Sequence, residues 1–211
     1  MNSSEIKMII DRYNNRFKQY GNSSASLGWQ SGHQDIRFSI LLSHWDLNQQ
    51  KIMDFGCGFG DMYGFLRNHK IDANYIGYDI NTSLINMGQN KYPEAQLICR
   101  DFLSNPKNDK FDYIFSSGVH NIPLEDNNAF MEKTFKIFDS SSRKGFALNF
   151  ISDRVDYKDK DLNYTNPIDV LELAYTYSRK ITLRNDYMPF EFTIFVDKCT
   201  TLLSGKNVYL N

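Results

Sequence analysis

The stretch that most constrains this chain is Lys51-Ile-Met-Asp-Phe-Gly-Cys-Gly-Phe-Gly60, which runs directly into Asp61-Met-Tyr-Gly-Phe-Leu66. An apolar run of strand length, three alternating glycines and then a helical pattern predict a buried strand, a tight turn and a helix N-terminus. Glycines in such a turn let backbone N–H and C=O groups approach a ligand without side chains in the way. Spacing excludes two common ligand loops. A dinucleotide turn needs G-x-G-x-x-G, yet Asp61 and Tyr63 stand where the third glycine would fall in the two frames. No G-K-[ST] follows, so a phosphate-binding loop is also out, and an NAD-dependent oxidoreductase on a similar sheet is disfavoured.

Downstream, β-like runs alternate with helical ones: strands at Lys51–Phe55, Asn74–Ile80, Gln96–Phe102, Phe111–Ser116 and Gly145–Ile151, and helices at Asp61–Asn68, Thr82–Lys91 and Asn127–Phe138. Strands separated by helices of this length predict βαβ crossovers and a parallel sheet covered by helices on both faces. After a helix at Pro167–Arg179, two further strands, Lys180–Asp186 and Phe190–Asp197, are joined only by Tyr187-Met-Pro189. So short a link requires an antiparallel hairpin. Phe190, Phe192, Ile194 and Val196 should share one face of its second strand, with Phe195 an apolar exception on the other.

Two helices precede the sheet. Ile6, Ile9, Ile10, Tyr13, Phe17 and Tyr20 recur at helical spacing over Glu5–Tyr20, with Ser3 or Ser4 as N-cap and Gly21 as stop; Ile36, Ile40, Leu41 and Trp45 mark a second helix over Gln34–Trp45. The expected architecture is a three-layer α/β sandwich around a mainly parallel seven-stranded sheet that ends in an antiparallel hairpin strand. The expected organisation is one domain over 1–211, with a helical cap at 1–48 and a Rossmann-like core at 51–198. The charged run Asp153–Asp161 reads as a solvated loop.

Bulk properties remove several function classes. At 211 residues with 41% hydrophobic and 23% charged residues, the chain can bury an adequate core without staples. A net charge of -1 gives no electrostatic reason to expect nucleic acid as partner. Cys57, Cys99 and Cys199 are scattered and form no metal-ligand cluster or disulfide framework, which points to a reducing cytoplasm and no metal. No apolar stretch approaches membrane-spanning length, so no membrane partner is expected, and the oligomeric state is open.

The pattern Asp54-x-Gly56-x-Gly58-x-Gly60 after a strand resembles motif I of the class I, Rossmann-like S-adenosylmethionine-dependent methyltransferases. Tyr75-Ile-Gly-Tyr-Asp79-Ile80 is similar to that family's second strand, whose terminal acid accepts hydrogen bonds from the cofactor ribose; Asp79 lies about 20 residues beyond the glycine turn, the offset at which such an acid reaches a ribose. Cys99-Arg-Asp101-Phe102 resembles the third-strand position where an Asp meets the adenine amino group and an apolar neighbour packs on the ring. Phe111-Asp-Tyr-Ile-Phe-Ser116-Ser-Gly118 resembles the fourth strand beside the departing methyl group, and the hairpin resembles the reversed last strand. Within the family, Leu27-Gly-Trp29, Gln34-x-x-Arg37-Phe38, Gly58-Phe-Gly-Asp61 and Asp186-Tyr-Met-Pro-Phe-Glu-Phe192 resemble a bacterial group of small methyltransferases with no assigned substrate.

The resemblance implies S-adenosylmethionine as cofactor, with Asp54, Gly56, Cys57, Gly58, Gly60, Asp79, Ile80, Asp101, Phe102, Ser116 and Arg37 around it. Asp54 is as much a support for the turn as a contact. Asp79 has a competing role as helix N-cap, although Asn81 can cap alone. Arg37 is read either as a bidentate partner for the methionine carboxylate or as a helix-surface ion pair. His120 is the candidate catalytic base, against the plainer reading of a surface or supporting histidine. Tyr187 and Glu191 stand near the hairpin, on the expected acceptor side. The fourth strand lacks the [DN]PP[YF] of amino-group methylating relatives, and no Pro-Cys nucleophile is present. The expected activity is methyl transfer to a small-molecule acceptor, with oxygen as the atom; the alternative is a non-catalytic partner or sensor that only binds the cofactor.

Overall fold

The computed structural model describes residues 1–28, 32–106 and 108–198. Among these residues seven strands form one sheet: β1 (Lys51–Phe55), β2 (Asn74–Asp79), β3 (Gln96–Cys99), β4 (Phe111–Ser117), β5 (Ser142–Ile151), β6 (Lys180–Arg184) and β7 (Glu191–Asp197). Their spatial order is β3-β2-β1-β4-β5-β7-β6, and only β7 runs against the rest, antiparallel to both β5 and β6. The reversed hairpin and the parallel remainder are as the alternation predicts.

The pleat sorts side chains into two cores. Met53, Phe55, Ile76, Ile114, Phe146 and Ile194 pack with α5 (Asn127–Ser141) and α6 (Pro167–Tyr175) on one face. Ile52, Tyr75, Leu97, Phe115 and Ala147 pack with α2 (His33–Leu41), α3 (Asp61–Asn68) and α4 (Thr82–Lys91) on the other. Because β7 lies between two strands and is covered on both sides, Phe195 joins the second core while Phe192, Ile194 and Val196 fill the first. Its apparent break of alternation is the mark of an internal strand.

Boundaries differ where tertiary contacts decide. Helix α1 (Ser3–Tyr20) begins earlier than its apolar pattern, because Asn2 accepts from the Glu5 N–H at 2.9 Å and the Glu5 carboxylate accepts from the Asn2 N–H at 2.7 Å; this capping box displaces Ser3 and Ser4 as caps. Helix α2 stops at Leu41, leaving Trp45 outside it to stack on Tyr113 and donate to Asp197 at 2.7 Å. Strand β3 ends at Cys99, and Phe190 falls outside β7 with a left-handed φ of 66°. Trp29 and Cys199 lie outside the described residues.

Candidate active site: a glycine turn, an acid and two adjoining cavities

The order of strands reverses between β1 and β4, so the connections leaving their carboxyl ends part to opposite faces of the sheet and open a crevice, the place where open α/β sheets bind ligands. Register brings the predicted residues to this edge: Phe55 pairs with Tyr78 and Ser116, and Asp79 pairs with Cys99. Gly56, Gly58 and Gly60 all take positive φ, at 74°, 55° and 77°. At Gly56 a Cβ would lie 2.2 Å from Val119 Cγ2, which leaves no room for a side chain as the turn stands, and at Gly58 it would lie 3.1 Å from Leu27 Cδ2, close enough that Leu27 would have to give way. The turn is held by Gly56 and Cys57 N–H groups donating to the Tyr78 carbonyl at 2.8 and 3.1 Å.

Asp79 sits opposite. Its Oδ2 accepts from the Gly58 N–H at 2.9 Å and its Oδ1 from the Asn81 N–H at 2.8 Å, while Asn81 itself caps α4 by accepting from Ser83 and Leu84 N–H groups. Asp79 is therefore not the cap. Burial raises its carboxyl above the ordinary range, against the pull of three backbone N–H groups. Asp54, at the end of β1, is buried and accepts from the Tyr75 hydroxyl at 2.7 Å; burial pushes its carboxyl up to about 7, opposed by that hydrogen bond. Its role in holding the turn to β2 is visible in this contact.

Asp54, Gly56, Cys57, Gly58, Asp79 and Ile80 line one cavity of about 100 Å³, closed above by Met1, by Ile9 and Tyr13 of α1 and by Leu27. Helix α1 is fixed there by Asn81 Nδ2 donating to Asn14 Oδ1 at 3.1 Å and by Phe17 against Phe59. Sharing Tyr13, Leu27, Gly118 and Ile122 with it is a second cavity of about 610 Å³, walled by α1, α2, the 151–164 loop and the β6–β7 turn. Tyr187 and Glu191 line this second cavity.

Other predicted residues lie elsewhere. Phe102 is fully buried, stacked on Tyr78 at 5.5 Å and set against Phe111, so its ring is a core ring rather than a cleft wall. Asp101 caps the turn after β3 by accepting from the Ser104 N–H at 3.1 Å and, like Gly60 at the start of α3, does not line the first cavity. Ser116 is buried; Ser117, Gly118 and Val119 line the cavity instead.

Arg37 is neither on the helix surface nor in the first cavity: it is buried, its Nε donates to Glu191 Oε2 at 2.7 Å and its Nη2 to Glu191 Oε1, while Asn149 Nδ2 donates to Oε2 at 3.2 Å. Burial lowers its guanidinium to about 10. A charge held in so dry a place needs its own counter-charge, and Glu191 supplies it. His120 is also displaced from its predicted role. It is 3% exposed, packed against Phe130 and Phe150, and its Nε2 has no hydrogen-bond partner among the described residues. Burial pushes the imidazole down to about 3, too weak a base for proton transfer near neutrality, and it lines neither of the two joined cavities. Missed by the sequence reading were Tyr13 and Arg100 on the first cavity and Arg12 and Arg16 on the second. For Tyr13 the helical stripe was a signal; for the arginines there was none.

Among the described residues no group of three His, Cys, Asp or Glu side chains is placed to hold a metal, and no helix is long and apolar enough to cross a membrane.

A parallel sheet with one reversed strand, a glycine turn at the strand-order switch and an acid at the end of the neighbouring strand define a class I, Rossmann-like fold. Residues 52–140 match the family model described as a methyltransferase domain. The Mycobacterium tuberculosis protein Rv1506c, which carries a provisional methyltransferase name, is 29% identical, the match covering 71% of this chain and 93% of that one. Among solved structures, magnesium protoporphyrin IX methyltransferase from Synechocystis with bound S-adenosylhomocysteine superimposes with a TM-score of 0.66 at 13% identity, over 92% of this chain and 99% of that one. A TehB-like S-adenosylmethionine-dependent methyltransferase from Corynebacterium glutamicum gives 0.56 at 22% identity, over 93% and 100%. The chain thus has the fold of the class I S-adenosylmethionine-dependent methyltransferases, and its residues 52–140 match a methyltransferase domain.

Proposed function

We propose that the chain transfers a methyl group to an oxygen of a small-molecule acceptor seated in the larger cavity, with the cofactor in the smaller one. The observation that carries this reading is the junction: the two cavities meet at Gly118 and Ile122, just beyond the carboxyl end of β4, with the glycine turn on one side only.

The residues present suit the cofactor. Glycines at 56 and 58 leave backbone exposed to a ligand, Asp79 keeps lone pairs for ribose hydroxyls beyond its hydrogen bonds from the Gly58 and Asn81 N–H groups and the pull of the Ile80 N–H, and Ile80 and Leu84 offer apolar cover for a base. At about 100 Å³ the cleft is smaller than the roughly 300–1,000 Å³ typical of ligand pockets. Entry therefore requires Leu27 and Val119 to swing off the glycines or α1 to lift.

When bound, S-adenosylmethionine supplies an electrophilic methyl group on a sulfonium sulfur. The protein's part is alignment, because holding the acceptor atom about 3 to 3.5 Å from that carbon lowers the barrier by several kcal/mol. Of the four residues common to both cavities only Tyr13 titrates, and burial pushes its hydroxyl up to about 12. Asp54 faces only the cofactor side and is tied to Tyr75. An oxygen that is already ionised, such as a carboxylate, needs no base at the junction. The test is incubation with S-adenosylmethionine and an acceptor library, read by mass spectrometry. A methyl-bearing product with stoichiometric S-adenosylhomocysteine supports the reading; cofactor binding without turnover on any acceptor, or methyl on nitrogen, sinks it.

A further inference from the structure

Seven large hydrophobic side chains are exposed among the described residues, and three of them, Ile36 (40%), Tyr157 (75%) and Phe190 (41%), line the 610 Å³ cavity. They come from three separate segments, so the cavity mouth gathers wet apolar surface from α2, the 151–164 loop and the β6–β7 turn. Phe190 is moreover held at a φ of 66°, a conformation unfavourable for an aromatic residue and of the kind that persists at ligand sites. Ile122, Ile151 and Leu162 continue this lining inward. A ligand with a sizeable apolar body would cover this surface and take it out of water.

The charge of the cavity differs from that of the chain. Three arginines, Arg12, Arg16 and Arg37, face it against two carboxylates, Glu191 and Asp159, in a protein whose net charge is -1. Glu191 is committed to Arg37. Asp159 is exposed at the rim and accepts from the Asp161 N–H. Arg16 donates to the Ala25 and Ser26 carbonyls and needs no further partner. Arg12 is half-buried one turn before Arg16, lines the cavity, and has no hydrogen-bond or ion-pair partner among the described residues. A partly desolvated guanidinium is stabilised by a carboxylate in bidentate contact.

We infer that the acceptor is a carboxylic acid with a bulky apolar body, its carboxylate held by Arg12 while Ile36, Tyr157 and Phe190 cover its hydrophobic part. This rests on the proposed two-cavity methyl-transfer reading and names the class of molecule the larger cavity takes.

The test uses the full chain saturated with S-adenosylhomocysteine and matched pairs of probes: 2-naphthoic acid with 2-naphthamide, indole-3-acetic acid with indole-3-acetamide, and decanoic acid with decanamide. Binding is followed by titration calorimetry for the wild type, Arg12→Gln and Arg12→Lys. At least one acid should bind ten-fold or more tightly than its amide. Arg12→Gln should erase that preference, Arg12→Lys should keep part of it, and both variants should bind S-adenosylhomocysteine as the wild type does, which also reports an intact fold. Equal binding of acid and amide, no acid binding at all, or a preference unaltered in Arg12→Gln overturns the assignment. Weaker S-adenosylhomocysteine binding in Arg12→Gln also overturns it, since Arg12 would then serve the cofactor's own carboxylate. Failure of the wild type to bind S-adenosylhomocysteine would instead sink the two-cavity reading beneath it.

Discussion

His120 gives a prediction that separates a buried structural histidine from a base. Its imidazole lies between Phe130 and Phe150, with Nε2 lacking a hydrogen-bond partner among the described residues and a proton affinity suppressed from 6.5 to about 3 by burial alone. Replacement by phenylalanine keeps a ring in the aromatic slot and removes the orphaned nitrogen, whose desolvation costs about 1–3 kcal/mol. A gain of about 1 kcal/mol is expected at pH 7 after allowing for the larger ring. The pH dependence is more diagnostic. Below pH 6.5 the unfolded chain takes up a proton on His120 and the folded chain does not until about pH 3, so the wild type loses stability as pH falls through that window, approaching 1.4 kcal/mol per pH unit. The substituted protein has no such loss. From pH 7 to pH 5 the stability advantage of His120→Phe should therefore grow by about 2 kcal/mol. Urea unfolding followed by circular dichroism at the two pH values measures this directly, provided the slopes agree. An advantage that stays constant would show that the imidazole is solvated in the fold, and one that shrinks would show that it is already charged there. Loss of methyl transfer in a stable His120→Phe protein would return it to the reaction.

Breaking the buried pair by Arg37→Ala should cost about 3–5 kcal/mol because Glu191 would be left charged in a dry site, whereas the joint replacement Arg37→Met with Glu191→Leu should recover most of that in thermal unfolding. Gly56→Ala should lower stability by more than 1 kcal/mol and abolish S-adenosylhomocysteine binding by calorimetry, since its φ is 74° and its Cβ would overlap Val119.

Most of the sheet could be read from the sequence because most of the apolar runs alternate with helical ones, and β1, α3 and α4 fall at the residues the pattern marks. That Gly56, Gly58, Asp54 and Asp79 gather at one edge of the sheet was equally legible, because the parallel order of β1 and β2 puts their ends side by side. What failed depends on side-chain direction. Phe102 and Asp101 follow β3, yet the ring turns into the core and the carboxylate closes a local turn. Arg37 finds its partner 154 residues away, a pairing no local pattern encodes. The position after β4 looked like a base site, but the short 3-10 turn Val119–Asn121 rolls His120 under the sheet's helical layer. Arg12 was hidden because the polar edge of an amphipathic helix looks the same whether it faces water or a cavity.

The central claim is that the glycine turn and Asp79 together hold the nucleoside part of the cofactor. Titrating S-adenosylhomocysteine into the wild type and Asp79→Asn, with circular dichroism as a check on folding, tests it most directly. Hydrogen bonds to a charged acceptor are worth about 1.5–3 kcal/mol, so the substitution should weaken affinity at least ten-fold while the fold persists. Equal affinity in the two proteins would contradict the account.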